Sequence, residues 1–95
     1  MALRPSIGPT ARQLEILILY SRGMSARQIA AELFIEESTA KRHCADIRAR
    51  FGTGTMAHCL IICLARGYLA IDGEAECARL PAAAEAVAPR DLVAA

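Results

Sequence analysis

Aromatic side chains are scarce in this chain: two Phe, two Tyr and no Trp. Runs of β-branched residues are scarce too, and no segment alternates strictly between apolar and polar. Ala, Leu, Glu and Arg dominate instead, and these residues favour helix. The longest apolar run, Met56 to Ala65, is interrupted by His58 and is too short to cross a bilayer. The N-terminus lacks the apolar stretch of a secretory signal. A cytoplasmic protein with reduced thiols and no membrane partner is therefore expected. The four cysteines, Cys44, Cys59, Cys63 and Cys77, contain no Cys-x-x-Cys pair. Cys59 and Cys63 stand four residues apart beside His58, but the set reads as small core residues rather than zinc ligands. No nucleophile elbow, phosphate-binding Gly-rich loop or His-Glu-x-x-His motif occurs, so neither an enzyme nor a cofactor is expected. With 95 residues the chain is expected to form one domain, with little spare length for an enclosed catalytic pocket.

What is present is helical periodicity with clear punctuation. Pro5, Gly8 and Pro9 mark residues 1–9 as an irregular arm. Thr10 and Gln13 form a capping box that opens a helix over residues 11–22, with a stripe of Leu14, Leu17 and Ile18 widened by Ile16, Leu19 and Tyr20, and Gly23 after its end. Ser25 and Gln28 form a second box, opening a helix over 26–33 with Ile29, Ala30 and Leu33 inward. Phe34 and Ile35 fall where the periodicity breaks and are expected in a turn, packed inward. A third helix is expected over about 37–51. Its inward stripe is Ala40, Cys44, Ile47 and Phe51, and Gly52 and Gly54 end it. A fourth follows from Thr55 to residue 65 or 66, stopped by Gly67.

The second and third helices fit a helix-turn-helix over residues 26–51. A helix that enters a DNA major groove needs an apolar inner face and an outer face that is short or basic. The outer face here is centred on Ser38, Arg42, Ala45 and Ala49. Lys41 and Arg48 flank it on one side, Thr39 and Asp46 on the other. Small Ser38, Ala45 and Ala49 permit close approach, while Lys41 and Arg42 can reach guanine edges or phosphates. Helix starts at Thr10 and Ser25 offer free N–H groups to phosphate. Charge agrees in sign: residues 1–71 hold nine basic against five acidic side chains, and residues 72–95 hold two against five.

"IAAELFIEESTAKRHCADIRARFG", Ile29 to Gly52, resembles the "IAxxLxIsxxTVKxHxxxIxxKLG" pattern of the LuxR/GerE (NarL-type) helix-turn-helix family of bacterial transcription regulators. Thr39, Lys41, His43, Ile47 and Gly52 match its most characteristic positions. Upstream, Thr10, the Glu15–Leu17 "EIL", Gly23 and Ser25 match as well, and the similarity extends to Leu69. Departures are Gln28 for the usual Glu, Glu36 for the Ser that opens the third helix, Ala40 for Val, Phe51 for Leu, and Arg42 where an aliphatic is common. Nine residues precede the Thr10 cap, so a stand-alone domain of the GerE type is expected.

The resemblance implies an all-α, four-helix domain spanning 10–71 that binds double-stranded DNA sequence-specifically and regulates transcription. The residues expected at DNA are Ser25, Ser38, Thr39, Lys41, Arg42, His43, Ala45 and Arg48. Thr39 bonds a phosphate or caps the backbone; His43 packs or touches phosphate; Arg48 and Arg50 hold the backbone or are solvated. Glu36 and Glu37 are expected to satisfy the positive end of the third helix. "CLIICLA" is apolar on every side, which suggests a homodimer contact on the fourth helix. Its outward positions are His58, Ile61, Ile62 and Ala65, and the resemblance also implies pairing there. Two alternatives share the pattern: a sigma-factor region-4-like module that binds RNA polymerase with its promoter, and a protein-interaction scaffold. The Ala-rich acidic tail, 72–95, is expected to form a partial helix between Glu74 and Arg79, then lose order past Pro81. Leu80, Val87 and Leu92 are available to cover the fourth helix.

Overall fold

The computed structural model describes residues 8–83. Four helices are followed by a short hairpin: α1 (Ala11–Ser21), α2 (Ala26–Leu33), α3 (Glu37–Phe51), α4 (Met56–Arg66), β1 (Ala70–Asp72) and β2 (Cys77–Arg79). The helical, four-helix domain expected from the sequence is what the chain forms, and the sheet is a minor addition. Most of the expected arm and the tail past residue 83, including Val87 and Leu92, lie outside the described residues.

Local chemistry sets each boundary. Both capping boxes close: the Thr10 hydroxyl accepts from the Gln13 N–H while Gln13 accepts from the Thr10 N–H, and Ser25 and Gln28 repeat the exchange. Two orphan donors are satisfied at each helix start. Gly52 and Gly67 end α3 and α4 in the left-handed region, with φ of 69° and 85°. There the chain reverses, and Thr53 N–H and Tyr68 N–H return to the carbonyls of Arg48 and Cys63.

The core is one cluster. Ile16 and Leu17 of α1, Ile29 of α2, Ile47 of α3, Cys59 and Cys63 of α4, and Leu69 beyond it are all buried. Cys44 and Phe51 pack against it from the edge. Cys59, Cys63 and Cys77 are buried, and Cys44 is half-buried. Burial pushes the thiols of Cys44 and Cys59 up, and that of Cys63 to about 12, so they remain protonated at neutral pH.

Two expectations fail. Phe34 is not packed inward: it is 94% exposed, at φ 58° as the C-cap of α2. Its backbone supplies the turn, since its N–H and that of Ile35 return to the carbonyls of Ala31 and Ala30. The left-handed geometry that satisfies these carbonyls throws the ring outward. Nor is there a helix between Glu74 and Arg79. Residues 70–79 form an antiparallel ribbon with Ile71 opposite Ala78, and the ribbon runs across the boundary expected between 71 and 72. Asp72 starts the reversal, its carboxylate accepting from Glu74 N–H and Ala75 N–H. The ribbon docks on α1, where Ala78 N–H donates to Ser21 Oγ at 2.8 Å and the Ser21 hydroxyl donates to the Ile18 carbonyl. Burial of Cys77 and Ala78 completes the contact.

Candidate nucleic-acid interface

Packing orients α3. Ala40 and Ile47 are fully buried, and the opposite positions Ser38, Arg42, Ala45 and Ala49 are exposed. The exposed strip carries one long cation among three small side chains. Arg42 makes no ion pair or hydrogen bond among the described residues. Lys41 is exposed as well, and its ammonium lies 3.3 Å from the Glu37 carboxylate one turn earlier. This solvated pair is worth little, so a phosphate can displace it at small cost. Thr39 and Asp46 are exposed on the other flank.

Not every expected residue stands on that strip. His43 is half-buried at its edge. Arg48 is also half-buried, close enough to Cys44 and Cys59 for its charge to favour their thiolates. Arg50 is exposed, and its guanidinium donates to the Gly8 carbonyl at 3.2 Å. Gly8 itself lies so close to the Tyr68 ring that a Cβ there would sit 2.7 Å from it. Arm, α3 and the start of the hairpin are thereby tied together.

At the start of α3, Glu36 occupies the N-cap with no side-chain capping bond, and Glu37 sits within the first turn, where its carboxylate complements the positive end. The Ser25 hydroxyl is engaged in its box, leaving the N–H groups of Ala26 and Arg27 as the open donors at the start of α2. Arg27 is exposed there and escaped the sequence reading. Its signal was its position, in the first turn directly after a cap.

On α4 the outward positions differ in kind. Ile61 is 61% exposed, Ala65 is exposed and Ile62 is half-buried. His58 is exposed, and its Nδ1 lies 3.0 Å from the Thr53 hydroxyl, which holds the α3–α4 loop. Among the described residues no helix is long and apolar enough to cross a membrane.

Residues 10–62 match the family model described as bacterial regulatory proteins, luxR family. The match begins at the Thr10 cap and ends within α4. No curated protein matches the chain.

Proposed function

Because the chain belongs to the luxR family of bacterial regulatory proteins, by a match over more than half its length, we propose that it places α3 in the major groove of a specific double-stranded site. DNA binding in transcription regulation follows from the family itself. The groove reading rests above all on the strip of Ser38, Arg42, Ala45 and Ala49, exposed opposite the buried Ala40 and Ile47. Small side chains let the helix axis approach the base edges, and Arg42 is long enough to donate two hydrogen bonds to a guanine.

Each expected contact has a role in this reading. Lys41 and Thr39 hold phosphates on either flank, and Ser38 and Ala45 meet bases or their methyl groups. The start of α2 at Ser25 takes a phosphate on its open N–H groups. His43 and Arg48, both half-buried, contribute from the edges of the strip. Two copies pair through the outward side of α4, at Ile61, Ile62 and Ala65 with His58 at the margin, and read half-sites about 10 bp apart.

Selection of bound duplexes from a random pool tests the reading directly. An enriched motif with two related halves is expected, together with affinity that falls steeply as salt rises. A pool that stays random, with no salt dependence, would overturn it.

A further inference from the structure

Asp46 has no explanation within the fold. The acids of α3 are Glu37 and Asp46. Glu37 complements the positive start of the helix and pairs with Lys41. Asp46 lies past the middle of α3, where the macrodipole offers it nothing, and Asp is a poor helix former. Its neighbours one turn away on the helix surface are Arg42, His43, Ala49 and Arg50. Two of these are arginines that could pair with it, and neither does. Among the described residues Asp46 makes no ion pair or hydrogen bond.

Its position makes this carboxylate consequential. Asp46 is exposed, about 40° around the helix axis from Arg42 and about 6 Å farther along it. A helix that sets Arg42 against base edges turns Asp46 toward the same groove floor. A carboxylate accepts hydrogen bonds and donates none. Phosphates, guanine O6 and N7, adenine N7 and thymine O4 are acceptors as well, so each of them repels it. The donors in the major groove are the amino groups of cytosine and adenine. Adenine sets its N7 acceptor beside the amino group, whereas the edge of cytosine presents the amino group alone.

We infer that Asp46 is a specificity-determining residue, which accepts a hydrogen bond from the N4 amino group of a cytosine within about two base pairs of the guanine read by Arg42. The inference rests on the groove placement of α3 proposed above. The spacing follows from the helix, since a rise of about 6 Å between the two residues matches about two base-pair steps of about 3.4 Å. The carboxylate lowers affinity for every site that lacks the donor, and discrimination comes from the one pairing that relieves this cost.

Selection from a random duplex pool tests the assignment, with the parent, Asp46→Ala, Asp46→Asn and Arg42→Ala each shown by circular dichroism to be folded. The parent motif should carry a cytosine within about two base pairs of the guanine that Arg42→Ala relaxes. In Asp46→Ala the preference for that cytosine should fall by about tenfold, the other positions should hold, and affinity for random duplex should rise. Asp46→Asn should move the preference there toward adenine, whose N6 and N7 an amide matches. If Arg42→Ala relaxes its own position while both Asp46 variants keep every preference of the parent, or only raise affinity uniformly, Asp46 is a solvated acid. The inference then falls and the groove reading stands. A base other than cytosine at the position that Asp46→Ala relaxes overturns the inference too. If no variant alters the selected sequences, the groove reading falls and takes the inference with it.

Discussion

Helices α3 and α4 share one seam and turn opposite chemistries away from it. Ile47 meets Cys59 and Cys63 in the same buried cluster, with the Cys59 thiol 3.9 Å from the Ile47 carbonyl. Behind the seam, α3 presents Ser38, Arg42, Ala45 and Ala49, whereas α4 presents Ala57, Ile61 and Ala65. The inner stripes obey the same rule, since either helix must exclude water from one side to be stable. The outer faces are free of that demand, so it is there that a difference in partner can be expressed. A polyanion rewards a cation on a low surface; a second protein surface rewards isoleucine.

Substitutions on the two sides of α3 should separate these demands. The largest effect belongs to the seam. Ile47→Ala removes a fully buried side chain between α1, α2 and α4 and should cost about 2–5 kcal/mol of stability in urea unfolding. A variant that unfolds with the parent would mean that α3 is rotated and the comparison of faces collapses. Next comes the outer strip. Arg42→Ala should leave unfolding unchanged and remove about 1–3 kcal/mol of specific binding, with relaxed preference at one base pair. Unaltered affinity and preference would show that this face is merely solvated. The smallest effect lies at the turn between α2 and α3. Phe34 occupies a left-handed position with its ring in solvent, so Phe34→Gly should raise stability by up to about 1 kcal/mol. A loss comparable to that of Ile47→Ala would restore the inward packing that its apolar character suggested.

Phe34 and the hairpin show where the sequence misleads. Phe34 is read as inward because it is apolar and sits next to Ile35. Its direction, however, follows from the reversal that α2 needs in order to meet α3, and hydrophobicity does not report a left-handed φ. The hairpin did leave a trace. Asp72-Gly73 is a turn signal, but the alanines around it have helical propensity, and strands of three residues are too short to display alternation. What holds the ribbon is remote in sequence: Ser21, fifty-seven residues before Ala78, accepts its N–H. Arg50 is a similar case, because its partner is the Gly8 carbonyl. Arg42 and Lys41 were easier to read, since their exposure depends only on the phase of α3 relative to its own apolar stripe.

The sequence by itself determined the helices, their caps and the inward side of each, because these rest on interactions three or four residues apart. It also determined the family, through the motif from Ile29 to Gly52. Tertiary structure alone decided that residues 70–79 pair as a ribbon, that Arg50 is tied to the arm, and that Phe34 points into solvent. Each of these depends on a partner or a chain reversal set by how distant segments meet, and local propensity carries no record of that meeting.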